Sequence, residues 1–199
     1  MKKFLPVLAI LVVVALLSSS GVVKLTIKST PDAPVPIYSD PPGTVDVINN
    51  VNGVKYPGYG VAVDYESTKF VITSRLVLFA GTGDLTVNGS KAIVIAEDTE
   101  SELIALSIED DLPTVLLTPQ VWGGEITVFT DVPKVVTKGQ YLRHWSILRN
   151  APERATGAAV FADGDLIGVV IGNNRANPND AIVADSTLLI NLAETVEQR

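Results

Sequence analysis

Cysteine is absent, and histidine occurs once, at His144. Without thiols the chain has no disulfide framework, no thiol nucleophile and no thiolate metal site. A single imidazole excludes a multi-histidine metal cluster. Charge is sparse as well. Asp, Glu, Lys and Arg make up 19% of the 199 residues, below the usual quarter, and the formal net charge is -7. The basic residues form no stripe, and an acidic surface repels phosphate backbones, so nucleic acid is not expected as a partner. No cofactor motif is present either. Gly81-Thr82-Gly83 lacks the lysine and the helix that a phosphate-binding loop requires.

What the chain does have is apolar sequence, 47% of it, enough for a core without metal or disulfide staples. Much of the excess lies at the N-terminus. Lys2 and Lys3 precede an apolar run from Phe4 to Leu17, followed by Ser18, Ser19, Ser20 and Gly21. That order of charged, apolar and small residues is the order of a secretory signal, with cleavage before Gly21. Counted on through Val23, residues 4–23 are also long enough for a retained membrane helix. Residues 1–23 are therefore read as an apolar helix serving as signal peptide or membrane anchor. The lysines would stay cytoplasmic in either case, leaving the domain outside the cytoplasm, secreted, periplasmic or anchored. Residues 24–43 contain Pro31, Pro34, Pro36, Pro41 and Pro42 and read as an extended linker or arm. The compact domain is placed at 44–199.

Within that domain short apolar runs alternate with turn residues. Strands are expected at Tyr59–Asp64, Lys69–Ser74, Asp84–Val87, Ala92–Ala96 and Ile104–Ile108, then at Glu125–Thr130, Gln140–Leu148, Ala158–Ala162, Leu166–Ile171 and Ala181–Ala184. Asn88-Gly89 and Asp163-Gly164 supply the positive φ angles of type I′ hairpin turns. Only Thr187–Val196 carries helical spacing, through Leu188, Leu189, Leu192 and Val196, with Asp185 or Ser186 as cap. Many short strands closed by one terminal helix imply an all-β sandwich or a pair of barrels.

Five segments narrow that choice. Gly58–Asp64 (GYGVAVD) is similar to an opening strand of the form G-S-G-hydrophobic. Phe70–Leu78 (FVITSRLVL) matches a strand and turn written I-L-T-N-x-H-V-V. Asp98–Ile108 (DTESELIALSI) matches D-x-x-x-D-L-A-V-L-K-I. Arg154–Phe161 (RATGAAVF), followed by Asp163–Val169 (DGDLIGV), matches G-x-S-G-x-P-V-F followed by D-G-x-V-I-G-V. Ala181–Ser186 matches a last strand leading into a C-terminal helix. In this order over about 140 residues, the chain resembles the trypsin-like, chymotrypsin-fold proteases of the HtrA type. The resemblance implies two six-stranded β-barrels and a C-terminal α-helix.

It also implies where catalytic groups would stand. That chemistry needs a serine hydroxyl, an imidazole to take its proton and a carboxylate to orient the imidazole. At the imidazole position stands Leu76, which accepts no proton. At the carboxylate position stands Glu102, and at the nucleophile position Thr156, whose methyl crowds attack. The glycine that contributes to the oxyanion hole is Arg154, so the oxyanion-equivalent pair is Arg154 and Thr156. Ala158 and Ala159 replace the following small residue and proline. His144 is the one imidazole left for Thr156, and it sits in a strand between Arg143 and Trp145, which a surface or half-buried strand histidine explains. A pairing of Asp98 with Glu102 as acid and base, a glycosylation role for Asn88-Gly89-Ser90, and cation binding by the acidic turns at 97–102 and 109–111 are weighed against solvated turns, which account for those residues.

The expectation is an exported or membrane-anchored pseudoprotease that binds a peptide or protein partner and does not hydrolyse it. Two alternatives stand beside it. One is a divergent active peptidase with Thr156 as nucleophile. The other is a structural subunit of an envelope or particle, which predicts a filled groove between the barrels.

Overall fold

The computed structural model describes residues 43–108, 111–142 and 145–198. The expected N-terminal helix, with its roles as signal or anchor, lies outside the described residues. So do His144 and all of the proline-rich arm except Gly43.

Six strands form the first barrel: β1 (Thr44–Val51), β2 (Val54–Tyr65), β3 (Thr68–Ser74), β4 (Asp84–Val87), β5 (Ser90–Asp98) and β6 (Leu103–Ile108). They run in the order β1-β4-β5-β6-β3-β2 and close through β1 pairing with β2. A two-residue strand, β7 (Val115–Leu116), adds in parallel to β2 at Val63 and Asp64. The second barrel contains β8 (Ile126–Phe129), β9 (Lys134–Leu142), β10 (Trp145–Arg149), β11 (Ala159–Ala162), β12 (Asp165–Asn174) and β13 (Asn177–Asp185). Its order is β10-β13-β12-β11-β8-β9, closed by β9 on β10. Closure removes the free strand edges that an open sheet would present. One helix, α1 (Ser186–Glu197), ends the chain.

Turn chemistry explains the hairpins. Asn88 and Gly89 have φ of +49° and +87°, and Asp163 and Gly164 have +50° and +94°, as type I′ turns need. Asn52-Gly53 makes a third such turn between β1 and β2, with φ of +53° and +81°. Glu66 and Ser67, between β2 and β3, hold positive φ without glycine. Asp185 is the helix cap, and its Oδ1 accepts from the N–H groups of Thr187 at 3.1 Å and Leu188 at 3.2 Å.

Three apolar clusters hold the molecule together. Val47, Val71 and Leu106 fill the first barrel. Val128, Leu148 and Val183 fill the second. The third cluster joins Phe70 and Ile72 of the first barrel to Phe129, Phe161 and Val169 of the second, with Leu189 and Leu192 of α1 packed on both. Each fully buried side chain of this size stabilises by about 1.5–3 kcal/mol, so the interface between the barrels is as firm as their interiors. The sequence pattern missed β1, β7 and the first half of β9. It also read Gln140–Leu148 as one strand. Residues 140–142 end β9 and residues 145–148 lie in β10, and the two strands pair antiparallel with Trp145 opposite Leu142. Continuous apolar and aromatic composition concealed the reversal. Among the described residues no helix is long and apolar enough to cross a membrane.

Candidate functional site

The segment Arg154–Ala158 joins the second barrel to the first. Gly157 N–H donates to Val170 O at 2.8 Å, and Ala158 N–H to Ala155 O at 2.8 Å. Tyr59 N–H, from β2, donates to Thr156 O at 2.9 Å. Thr73 Oγ1 donates to Tyr59 O at 2.5 Å. Gly157 has φ +81°, and a Cβ there would stand 1.9 Å from Tyr59 O, so only glycine lets the loop dock this closely. Arg154 holds φ +57°. The chain thus adopts the left-handed backbone at this position in spite of its side chain, at a cost of about 1–2 kcal/mol. Thr156 is half-buried, and among the described residues its hydroxyl makes no hydrogen bond.

Leu76 lies on a one-turn 3-10 helix, Arg75–Leu78, that follows β3. Ser74 fixes this turn to both barrels. Its Oγ accepts from Leu76 N–H at 3.1 Å and donates to Ile171 O of β12 at 2.8 Å. The Leu76 side chain is 41% exposed. Its Cδ1 would stand 2.9 Å from a Cβ on Gly172, so it lies across β12 where the two barrels meet. A hydrocarbon occupies the place at which the resemblance puts a proton acceptor.

Glu102 is engaged by Arg75, the residue beside Leu76. Its carbonyl accepts from Arg75 N–H at 2.8 Å, and its Oε2 pairs with Arg75 Nη1 at 3.5 Å. Arg75 also bonds the Glu97 carboxylate, which raises the guanidinium pKa first, with Glu102 adding to the same effect. Glu102 itself has φ +57°. Asp98 caps its own turn by accepting from Glu100 N–H at 2.9 Å and from Ser101 Oγ at 2.6 Å. Asp98 and Glu102 thus hold different partners. Asn88 Oδ1 accepts from Asp46 N–H at 2.9 Å, which ties the β4–β5 turn to β1. Among the described residues no group of three or more His or acidic side chains is arranged to hold a metal ion.

Between the barrels runs a cleft of about 660 Å³. Asp46 and Ile48 of β1, with Pro57 and Tyr59 of β2, form one wall. Asp131, Arg154, Thr156 and Asn173 of the second barrel form the other. Leu76 and Glu102 do not line it. A smaller cavity of about 240 Å³ adjoins and shares Asp46, Tyr59 and Asp131. Burial pushes the Tyr59 phenol pKa up; a hydrogen bond from the Asp131 backbone opposes this, while the Asp131 carboxylate and then Asp46 push the same way. Tyr59 thus lies within the electrostatic reach of Asp131 and Asp46 at the junction of the barrels.

Arg154 and Thr156 both border this cleft, together with Asp46, Tyr59, Asp131 and Asn173, which sequence reasoning did not select. Two signals were available. Asp46 is the single polar residue within Val45-Asp46-Val47, and Tyr59 replaces a small residue between Gly58 and Gly60.

No protein-family model and no curated protein sequence matches the chain. Solved structures do. The active form of the Rv3671c protease from M. tuberculosis superposes with a TM-score of 0.62 at 15% identity, over 78% of this chain and 81% of that one. Its inactive form gives 0.56 at 14% identity, over 78% and 89%. The serine endoprotease from Yersinia pestis gives 0.62 at 18% identity, over 78% of this chain and 63% of that one. The chain has the fold of the trypsin-like serine proteases, two closed six-stranded barrels with a C-terminal helix.

Proposed function

We propose that this chain is a catalytically silent relative of the trypsin-like proteases, which holds an extended segment of a partner protein in the cleft between its barrels and does not cut it. The observation that carries the reading is Leu76. A threonine hydroxyl attacks a carbonyl at neutral pH only when a neighbouring base takes its proton. Leucine cannot do so, and loss of one triad member alone lowers the rate by several orders of magnitude. Glu102, bound to Arg75, has no imidazole on Leu76 to orient. Arg154 stands where the fold's enzymes use glycine beside the developing oxyanion.

An open cleft supports binding over a purely structural role, since a structural block would fill it. The walls of the cleft mix polar groups, at Asp46, Tyr59, Asp131 and Thr156, with apolar ones, at Ile48 and Pro57, which suits an extended peptide segment. Lys2, Lys3 and the apolar run after them support action outside the cytoplasm, either secreted or held at the membrane by residues 4–23.

The test is to equilibrate the purified protein with a randomised peptide library and analyse both fractions by mass spectrometry. Enrichment of intact peptides on the protein, with no new peptide termini in solution, is the expected result. New termini would establish the divergent peptidase that uses Thr156. No enrichment at all would favour the structural subunit.

A further inference from the structure

The second barrel closes, but one of its strands runs on past its neighbour. β9 pairs with β8 only through Lys134, Val135 and Val136, whereas its other side stays paired with β10 over residues 137–142. Beyond Val136, one edge of β9 has no strand beside it among the described residues. The cause lies just before β8. Gly124 holds φ +65°, and a Cβ there would overlap the Asp163 carboxylate, so the chain leading into β8 turns toward Asp163 and parts from β9. The fork so formed is a cavity of about 330 Å³, with Trp122, Gly124 and Ile126 on one wall and Val136 and Lys138 on the other. Along the bare edge Thr137, Gly139, Gln140, Tyr141 and Leu142 are exposed.

Such an edge offers backbone N–H and C=O groups, which a second extended chain satisfies. Charge narrows the choice of chain. Residues 132–152 carry Lys134, Lys138, Arg143 and Arg149 and no acid, in a chain of net charge -7. Lys138 Nζ lies over the rings of Trp122 and Tyr141, 4.8 and 5.1 Å from their centroids, which holds the ammonium beside the cavity. Lys138 stands opposite buried Leu148, on the inner face of the strand pair. Arg149 stands opposite Thr137 on the outer face and folds across β9, where a Cβ on Gly139 would lie 3.0 Å from its Nε. The described ion pairs are Lys69–Asp111, Arg75–Glu97 and Arg75–Glu102, so neither cation is in one. Glu125, the acid on the cavity wall, already has a partner. The indole N–H of Trp122 is buried with no hydrogen-bond partner among the described residues, a donor that an incoming carbonyl can meet if the ring turns into the cavity. A strand laid on this edge meets a cation on each face, which attracts carboxylates. A second copy of β9 would set Lys138 and Arg149 against their own counterparts, and like charges oppose that pairing. A nucleic acid has no amides to pair with the edge.

We infer that the edge of β9 over residues 137–142 takes up an extended acidic segment of another protein as an added strand, its carboxylates held by Lys138 and Arg149. The site shares no lining residue with the cleft between the barrels and stands independently of how that cleft is read.

The experiment uses short fluorescein-labelled peptides in which Val and Thr alternate with Glu or with Lys, and a third, the Glu peptide with every backbone amide N-methylated. Fluorescence anisotropy with the full chain should show the Glu peptide bound about tenfold more tightly than the Lys peptide, and the N-methylated peptide bound no better than the Lys peptide. In W145F the remaining tryptophan is Trp122, and its emission should change with the same midpoint. K138E/R149E should reverse the order and bind the Lys peptide more tightly, a gain that an unfolded variant does not show. K55E/K91E makes the same change of charge at exposed positions elsewhere and should keep the wild-type order. Equal binding of the Glu and Lys peptides by the wild type overturns the inference. So does full affinity for the N-methylated peptide, a silent Trp122, an order that K138E/R149E leaves unchanged, or one that K55E/K91E abolishes. Binding of none of the peptides overturns it as well, and a dimer in sedimentation velocity that Q140P dissociates would then assign the edge to a second copy.

Discussion

Asn49 sits on β1 with no exposed surface, and its amide ties down the chain after the 3-10 turn that carries Leu76. Nδ2 donates to Val77 O at 3.0 Å and to Gly81 O at 2.8 Å, while Oδ1 accepts from Gly83 N–H at 2.9 Å. Asn49→Ala removes all three bonds. A buried polar group left unpaired costs about 1–3 kcal/mol. Val77 is 3% exposed, so its carbonyl stays dry and bears the full penalty. Gly81 and Gly83 lie at a more exposed bend, where water replaces part of the loss. The expected destabilisation is about 2–4 kcal/mol, a large share of a domain's total stability. Asn49→Asp sharpens the test. It keeps the acceptor for Gly83 but turns a carboxylate oxygen toward two carbonyls, so it should cost at least as much as alanine in spite of its matching shape. Urea unfolding followed by tryptophan fluorescence measures both, with the midpoint moving and the slope unchanged. A loss below about 1 kcal/mol for Asn49→Ala, or wild-type stability for Asn49→Asp, would refute the view that these bonds hold the loop.

Three further outcomes are expected. Gly157→Ala puts a Cβ 1.9 Å from Tyr59 O and 2.5 Å from Thr73 Oγ1 at φ +81°, so it should lower stability by about 3 kcal/mol or more in thermal unfolding and abolish peptide retention at temperatures where the protein is still folded. Thr156→Ala should change stability by less than about 0.5 kcal/mol and leave peptide retention intact, since the hydroxyl has no hydrogen-bond partner among the described residues. Tyr59 has a raised pKa in the folded state, so its contribution is complete below the ordinary phenol value of about 10 and is lost as pH rises through the higher folded value. Denaturation curves collected up the alkaline range should show that loss in the wild type and a shallower one in Tyr59→Phe.

Sequence legibility followed locality. Asn88-Gly89 and Asp163-Gly164 fixed their turns through two adjacent residues, and both appear as expected. The final helix was readable because leucines at 188, 189 and 192 and a cap at Asp185 lie within two turns. The Glu66-Ser67 turn was not, because neither residue favours positive φ by itself; pairing of β2 with β3 imposes it. β1 was missed because the adjacent Asn49 and Asn50 interrupt its apolar alternation, whereas Asn49 is an inward residue bonded to backbone more than 25 positions away. Leu76, Glu102, Arg154 and Thr156 were singled out through short motifs, and the last two of them border the cleft. Asp46 and Asp131 were not, because they are 85 residues apart and only the packing of one barrel on the other makes them neighbours.

The account turns on the absence of a base at Leu76. Incubation with a fluorophosphonate probe, followed by intact-mass and peptide-level analysis, tests it most directly. The prediction is an unmodified protein with Thr156 free of adduct after exposure that fully labels an active serine protease in the same tube. A stoichiometric adduct on Thr156 would mean that its hydroxyl is activated by some base, and would contradict the account.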